Sequence, residues 1–538
     1  MHQANLERNS EDGVAESDHA MARATVTGRR LARRLLGNYA LQIVNLGIRL
    51  FDQLLLIPLY LLAWGTELYK DYLVLAAISW FLTTCTFGTD DYFASRFIHD
   101  VSTGNATALR RHVRTGLFVS SAISVVILSL LYVLVSCVDL TRLLGLHAMS
   151  EHDAVLILVV LTLPLWGWYS VMILHDAYRA YGDFSRGECI FALYTSAQLV
   201  SVMIALLFHA PPTVVACCYG FMPIVCSVVT IIDVSRRYPT MRLGFAMPTR
   251  EEWRDMVPQS LLYFTNALAP AITQNAVLIV FALFDFSAAT IVTFNVCRVF
   301  TGLTRQIGAQ SFSIGSGIEM ARQHVQQDYE GCRRLYADTG RIVACISGAL
   351  SGLSLPLAAP FIHLWTHGKI QADAALIVCF LVGIYFSSPG RASLMLLRYT
   401  NHARPIAWAN SVWSLAGLAL AVALAWPLDG VGVALGFAVT EMLGAGLLPP
   451  LAVEQRFRFS AWSHLLNSFL AGGLAFVVSF AAAYLLFGNA QIGVLQLALR
   501  AGLWALAVLP PLILIALPHS ERQRLIARLF RRLSVRPS

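Results

Sequence analysis

The sequence predicts an all-α integral membrane protein with about fourteen transmembrane helices, arranged as two six-helix lobes followed by two C-terminal helices. Three observations support this prediction. Of the 538 residues, 57% are hydrophobic and only 13% are charged, whereas a typical soluble chain has about 25% charged residues. The apolar residues gather in windows of about 20 residues, the length that crosses a bilayer. Arginines alternate between successive connectors, as expected of a multi-span protein.

Each predicted helix is an apolar window flanked by polar or turn-forming residues. The windows can slip by about four residues at either end, because boundaries are the least certain part of a sequence pattern. In chain order they are centred near Val44, Ala77, Val126, Leu161, Leu199, Ile224, Thr273, Phe294, Gly348, Val382, Gly417, Gly436, Phe476 and Val508.

The arginine pattern sets the predicted topology. Connectors after the second, fourth, sixth, eighth, tenth and twelfth helices are basic, whereas the others hold little beyond Lys70, Arg142 and Lys369. Because short basic connectors remain on the cytoplasmic side, we expect both termini to be cytoplasmic. The basic connectors carry Arg110, Arg111, Arg179, Arg186, Arg236, Arg237, Arg333, Arg334, Arg404 and Arg456.

The chain also repeats itself. The segment "ALRRHVRTG" at 108–116 resembles "GCRRLYADTG" at 331–340, and "YRAYGDFSRG" parallels "LRYTNHARPI" at nearly the same offset, so that Arg179 matches Arg398. Six spans per repeat give parallel repeats, and such repeats are typical of transporters that bind substrate between two halves.

These patterns divide the chain into six parts. The first part is polar and lacks the apolar stretch and cleavage site of a signal peptide, which predicts a disordered cytoplasmic tail. The parts are this tail at 1–35, the N-lobe at 36–236 with helices one to six, a cytoplasmic linker at 237–254, the C-lobe at 255–455 with helices seven to twelve, helices thirteen and fourteen at 456–518, and a basic amphipathic cytoplasmic tail at 519–538.

Charged residues within the predicted spans indicate a functional surface, because a charge at mid-bilayer costs roughly 2.5 to 3.5 kcal/mol on insertion scales. At about 100° per residue, Arg49 and Asp52 share a polar face of the first helix, as Arg298 and Arg305 do on the eighth. We expect these faces to line a water-filled cavity between the lobes. The predicted substrate-binding residues are Asn45, Arg49, Asp52, Gln53, Asn266, Gln274, Asn295, Arg298 and Arg305.

The charge balance of this set favours an anionic substrate. Its arginines outnumber its single aspartate, and the planar guanidinium fork suits phosphate particularly well. Asp52 either orients Arg49 or carries a coupling proton, and both H⁺ and Na⁺ stay open as coupling ion. In the competing interpretation, Arg49 and Asp52 pair with each other at i and i+3 and only fix helix packing.

A second group of acidic residues lies near the inner ends of the second and fourth helices. We interpret Asp90, Asp91 and Asp176 as a candidate inner gate. The alternative is that these carboxylates are solvated charges at the membrane edge.

Motifs for chemistry and for nucleic-acid binding are missing from the sequence. It has no phosphate-binding glycine loop, no His-Glu metal motif and no nucleophile elbow, and its ten cysteines follow no metal-ligand spacing. The sequence therefore predicts neither an enzyme nor a bound cofactor or metal. Nucleic-acid binding is disfavoured, because the net charge of +8 resides in short connectors rather than on one basic face.

Three segments carry a family resemblance: "LGNYALQIVNL" at 36–46, "LIPLYLLAWGTELYKDYLVLAAISWF" at 56–81, and the connector to "LRRHVRTG". With the Trp-Gly-x-Glu-x-Tyr turn at 64–69, they resemble the polysaccharide transporter family. These are the O-antigen and exopolysaccharide flippases of the multidrug, oligosaccharidyl-lipid and polysaccharide exporter superfamily. The chain departs from that family at the end of the second helix, where "TFGTDDYF" replaces the expected Asp-x-Gly pattern.

The resemblance implies a flippase of the bacterial inner membrane that works by alternating access. Its implied substrate is an oligosaccharide linked to polyprenyl pyrophosphate (undecaprenyl pyrophosphate), moved from the cytoplasmic to the periplasmic leaflet for lipopolysaccharide O-antigen or exopolysaccharide biosynthesis. Membrane lipids surround such a protein, and a glycan polymerase or glycosyltransferases are its implied partners.

Three alternatives stay open at this point. Fourteen helices also resemble the lipid II flippases. A multidrug or cation exporter of the same superfamily is a near alternative, although a cavity for cations should be acidic and aromatic rather than arginine-bearing. A membrane glycosyltransferase or polymerase would be expected to have a substantial outward loop with catalytic carboxylates, whereas the longest connector here is about 138–153.

Overall fold

The structure, a computed structural model, describes residues 44–45, 47–307, 313–400, 402–488 and 493–516. These ranges are almost entirely helical and contain no β-strand. Ten of their helices are long and apolar enough to cross a membrane, or eleven with the pair Ala374–Ser387 and Gly390–Tyr399, which is bent by 50°. The predicted all-α integral membrane class is confirmed. The count of fourteen spans is not confirmed by this measure and stays a prediction.

The helices are numbered in chain order, and three of the π-helical segments that interrupt them are described over their full length. These three segments are Ile272–Ala276, Val412–Ala416 and Met442–Leu447. The helices are α1 Gly47–Thr83, α2 Thr89–Ser102, α3 Ala106–Cys137, α4 Leu140–Leu143, α5 Glu151–Thr162, α6 Leu165–Ala180, α7 Phe184–Leu207, α8 Pro212–Arg237, α9 Arg250–Ala271, α10 Val277–Leu283, α11 Ala288–Arg305, α12 Ser313–Val325, α13 Tyr329–Trp365, α14 Ala374–Ser387, α15 Gly390–Tyr399, α16 Ala403–Ser411, α17 Gly417–Glu441, α18 Leu448–Phe457, α19 Ala461–Phe487 and α20 Val494–Ala516.

Two of the long apolar stretches contain a break in the helical backbone. α1 has 37 residues, and the stretch Arg404–Phe457 has 54, which at 1.5 Å per residue would extend about 55 and about 80 Å against a hydrocarbon core of about 30 Å. Each contains a residue outside the helical region, Gly65 with φ +76° and Asp429 with φ 54° and ψ −143°. The breaks lie between the predicted centres near Val44 and Ala77, and between those near Gly417 and Gly436.

The helices pack as two groups. α2, α3, α5, α6, α7 and α8 form contacts within the first half of the chain, and α11, α13, α14, α15, α17 and α18 form contacts within the second. α13 packs along α19, which attaches the C-terminal helices to the second half. α2 and α9 contact each other across the halves. The predicted lobe and linker boundaries themselves stay predictions.

One end of the bundle, which we call the Lys70 end, is closed by contacts between the halves. The buried apolar residues Leu61, Leu144, Phe281 and Ile362 belong to one core there. Two side chains of the second half bind α1 carbonyls: Trp365 Nε1 donates to Leu54 O at 2.5 Å, and Lys369 Nζ donates to Leu61 O at 2.6 Å. Lys70 itself is 2% exposed and pairs with Asp71 at 2.8 Å.

Ionic contacts join the halves at the opposite end, which we call the Arg110 end. Asp255 of α9 pairs with Arg96 of α2 and accepts a hydrogen bond from Tyr92 Oη at 2.9 Å. Glu252, which also completes a capping box with Thr249 at the start of α9, pairs with Arg111 of α3. The predicted tails at 1–35 and 519–538 lie outside the described residues.

A candidate substrate cavity

Two cavities adjoin in the middle of the bundle and share Arg49. The larger, which we call the arginine cavity, has a volume of about 420 Å³. It lies between α1 of the first half and helices of the second half. Its polar and charged lining consists of Arg49, Gln53, Thr273, Gln274, Arg298, Thr301, Arg305, Gln306 and Glu441.

The sequence of α11 places the arginines on one face of the cavity. Ser287 caps the helix by accepting a hydrogen bond from Thr290 N, and the helical period then places Asn295, Arg298 and Arg305 on one side. Arg298 donates to the Gln274 carbonyl and to Asn295 Oδ1, the latter at 2.6 Å. In the described part of the chain no carboxylate lies within 4.0 Å of the Arg298 guanidinium. Its positive charge is therefore held in place by neutral groups.

The structure adds an acidic residue that the sequence analysis missed. Glu441, at the end of α17, is 3% exposed and pairs with Arg305 at 2.7 Å and with Arg391 of α15 at 3.7 Å. Both arginines also stack on the Trp413 ring. The available signal was the single carboxylate in the apolar stretch "GVALGFAVTEMLGAGLL", because an intramembrane charge is a site candidate in its own right.

The smaller cavity, which we call the aromatic cavity, lies within the first half and has a volume of about 270 Å³. Trp168 and Tyr194 form part of its wall with ring centroids 5.5 Å apart. Arg49 lies over the Phe191 ring, 5.9 Å from its centroid. The cavity's other polar and aromatic lining consists of Asp52, Ser79, Trp80, Thr83, Thr195, Gln198 and Tyr219.

Asp52 and Arg49 do not pair with each other here. Among the ion pairs of the described residues none joins the two side chains within 4.0 Å, although they are one turn apart on α1. Asp52 faces the aromatic cavity, whereas Arg49 reaches both cavities. The geometry therefore separates a carboxylate from the arginines of the second half.

The structure brings only part of the predicted set together. Gln53 lines the arginine cavity and accepts a hydrogen bond from Gln306 Nε2 at 3.3 Å. Asn45 instead donates to Glu188 Oε2 of α7 at 2.6 Å, and Asn266 accepts from Asn410 Nδ2 at 2.7 Å. Neither asparagine lines either cavity, and each is instead hydrogen-bonded to a neighbouring helix.

The three acidic residues of the candidate gate lie close together at the Arg110 end. Asp176 pairs with Arg179 at 3.1 Å, and Asp90 accepts a hydrogen bond from Thr86 Oγ1 at 3.0 Å. Arg179 and Arg398, which the internal repeat matches, both lie within electrostatic reach of Asp91. The cluster thus includes charges from both halves. Over the described ranges, no group of three or more His, Cys, Asp or Glu side chains could hold a metal ion.

The fold is similar to that of solved membrane transporters, some of them from the multidrug, oligosaccharidyl-lipid and polysaccharide (MOP) superfamily. It is similar to the solved structure of a lipid II flippase, MurJ, in an inward closed conformation, with 14% identity, 87% of this chain and 97% of that chain covered, and a TM-score of 0.65.

Two multidrug resistance MATE family transporters of the MOP superfamily are also similar in fold. For an inward-facing conformation the identity is 14%, the coverage 81% of this chain and 98% of that chain, and the TM-score 0.60. For an outward-facing conformation the identity is 15%, the coverage 79% of this chain and 95% of that chain, and the TM-score 0.54. No protein-family model and no curated protein matches the sequence. At these identities the likeness concerns the fold alone.

Proposed function

We propose that this protein is a flippase that moves an oligosaccharide linked to polyprenyl pyrophosphate from the cytoplasmic to the periplasmic leaflet by alternating access. The observation that carries the proposal is the arginine cavity, in which Arg49 from one half faces Arg298 and Arg305 from the other. In this proposal the translocated oligosaccharide is used for lipopolysaccharide O-antigen or exopolysaccharide biosynthesis. The protein acts as a transporter of the bacterial inner membrane and not as an enzyme.

The charges of the arginine cavity suit a diphosphate. Each guanidinium presents a planar fork of donors that can bind two phosphate oxygens at once. Arg298 has no carboxylate within ion-pair distance in the described structure, so a bound anion would not have to displace one there. A charge that is costly within a membrane is thereby matched to a substrate of opposite sign.

The aromatic cavity suits the sugar next to the diphosphate. Trp80, Trp168 and Tyr194 offer ring faces, and the Asp52 carboxylate can accept hydrogen bonds from sugar hydroxyls. Since Arg49 lines both cavities, a sugar in one can be joined directly to a phosphate in the other. The polyprenyl chain stays in the bilayer. In this proposal Asp52 also remains the candidate carrier of a coupling H⁺ or ligand of Na⁺.

The closed Lys70 end supports alternating access. Lys369 and Trp365 bind α1 there, and in this proposal the substrate enters from the Arg110 end, which the arginine pattern places in the cytoplasm. Opening the Lys70 end while the Arg110 end closes would carry the diphosphate and sugar of the substrate across the membrane. The Asp90, Asp91 and Asp176 cluster acts as the inner gate in this scheme.

A second candidate substrate is a peptidoglycan precursor, because a solved structure with a similar fold is a lipid II flippase. A drug or cation exporter is favoured by one local feature, the Asp52 carboxylate in an aromatic cavity. The arginine cavity argues against cations, since three guanidinium groups would repel them.

A deletion strain tests these candidates. We expect it to accumulate lipid-linked oligosaccharide in the cytoplasmic leaflet and to lose a surface glycan, measured by lipid extraction and glycan electrophoresis. Accumulation of lipid II with normal surface glycans would favour the peptidoglycan alternative. Unchanged lipid-linked glycans together with altered drug tolerance would contradict the flippase proposal.

A further inference from the structure

Glu441 is buried where two arginines converge. It is 4% exposed at the side chain, and it binds Arg305 of α11 and Arg391 of α15. Ser387 Oγ of α14 donates to its second oxygen at 3.1 Å. Four helices therefore meet at one carboxylate. Removing a buried charge from its partners is costly, so the arrangement needs an anion at this place.

The two arginines have more donors than Glu441 can satisfy. The Nε atoms of both guanidinium groups are buried and have no hydrogen-bond partner among the described residues, and each guanidinium carries five N–H donors. Two positive charges share one negative charge. The site is therefore able to accept a larger anion with more acceptor oxygens than a carboxylate has.

The backbone around Glu441 is also irregular. A π-helical segment begins at the next residue, Met442, and a second one carries Trp413, on whose ring both arginines stack. Short π segments within α-helices occur frequently at functional sites. Gly383 packs closely beside α17, since an added Cβ would lie 3.0 Å from Ala438 Cα and 3.3 Å from Glu441 Oε2.

We propose that Glu441 is an internal counter-ion that holds Arg305 and Arg391 in the place of a substrate diphosphate, and that the diphosphate displaces it on binding. This inference rests on the proposed function and extends it. It assigns Arg391 to the substrate site, and it makes Glu441 a competitor of the substrate. The ligand chemistry is a diphosphate, whether lipid-linked or free.

Binding measurements on the purified full chain test this proposal. The probes are farnesyl pyrophosphate, a short polyprenyl diphosphate, and inorganic pyrophosphate, each titrated by microscale thermophoresis at fixed ionic strength. Glu441→Gln removes the competing charge, and we expect it to tighten binding about tenfold, whereas Arg391→Gln should weaken binding about tenfold. The matched controls are Glu454→Gln and Arg456→Gln, which lie on α18 outside both cavities and should change affinity less than about twofold.

The outcomes separate this inference from the proposed function. If the wild type binds neither diphosphate, the proposed function fails. If the wild type binds and Glu441→Gln binds equally or more weakly, Glu441 only positions the arginines and the inference is overturned. Binding of inorganic pyrophosphate alone, tightened by Glu441→Gln, supports the counter-ion but contradicts a lipid-linked substrate. Should Glu441→Gln fail to fold, Glu441→Asp keeps the charge on a shorter side chain and should tighten binding about threefold; no tightening overturns the inference.

Discussion

Arg111 of α3 binds both carboxylate oxygens of Glu252 at the start of α9, with Nε to Oε1 at 2.5 Å and Nη2 to Oε2 at 3.2 Å. This fork joins the two halves at the Arg110 end, beside the contact of Arg96 with Asp255. Because bidentate geometry is the favourable case for a surface ion pair, we expect the pair to help hold this end in the described state.

Charge reversal tests the Arg111 to Glu252 contact. Arg111→Glu and Glu252→Arg should each lower the rate of glycan export, because each places like charges opposite one another, and the double reversal should restore much of it. A double-mutant cycle on thermal unfolding should show that the effects of the two changes are coupled. Independent effects of the two changes would show that the pair does not act as a unit.

Arg298 provides the most direct test of the arginine cavity. Arg298→Ala should lower export by at least about tenfold with membrane insertion intact, since the proposed phosphate contact is lost, and Arg298→Lys should restore it in part because the charge returns without the fork. The control is Arg142→Ala, whose side chain is 87% exposed at the Lys70 end. Normal export by a well-expressed Arg298→Ala protein would assign this arginine a structural role.

Thiol labelling reports whether the arginine cavity contains water. In a background without the ten native cysteines, Gly302→Cys should react with a small aqueous thiol reagent, because this residue lines the cavity and a Cβ there meets nothing within 4 Å. Farnesyl pyrophosphate should slow the reaction. Ile291→Cys, at a position that is 0% exposed on the same helix, serves as the control, and equal labelling at both sites would contradict a defined cavity.

The predicted topology can be tested with reporter fusions. Those placed after Arg237 and Arg456 should report a cytoplasmic location, and those near Lys70 and Lys369 a periplasmic one, because the basic connectors are retained in the cytoplasm. Alkaline phosphatase and fluorescent protein fusions give opposite readouts at each site. A periplasmic signal after Arg237 would overturn the plan of two six-helix lobes.

Close packing of α13 against α19 predicts a stability effect. At Gly348 an added Cβ would overlap the carbonyl oxygen of Gly472, so Gly348→Ala should destabilise the protein by about 1 to 3 kcal/mol. Gly502→Ala on α20 has open space around its Cβ and should be neutral or stabilising by a few tenths up to about 1 kcal/mol. Thermal unfolding in detergent compares the two variants, and equal unfolding midpoints would contradict close packing of α13 against α19 at Gly348.

Local periodicity explains which features of the fold and site could be predicted. The spacing of Arg298 and Arg305 follows from the geometry of a single helix, so their shared face was visible in the sequence. The apolar windows likewise predicted the membrane-spanning class, because bilayer thickness sets their length. The number of crossings is harder to predict, since the breaks at Gly65 and Asp429 are single residues within long apolar stretches.

Partners contributed by distant helices could not be predicted. Glu441 lies 136 residues from Arg305 and 50 from Arg391, and only tertiary packing shows that these three charges meet. The same limit applies to Asn45, whose amide is taken up by Glu188 rather than by the cavity. A polar residue within a span therefore indicates that a partner exists, but periodicity does not say which helix supplies it.

The closure of the Lys70 end relies on lysine donors bound to backbone carbonyls as well as on apolar contact. Lys369 is bound to the Leu61 carbonyl across the halves, and Lys70 to the Gly145 carbonyl within the first half at 2.5 Å. Water can replace the Leu61 carbonyl when the halves separate, and the net contribution of one hydrogen bond to a charged group is about 1.5 to 3 kcal/mol. The directionality of the bonds nevertheless returns the two halves to one register on reclosing. In the proposed alternating access, a seal of this kind opens at modest cost in free energy and recloses in a single register.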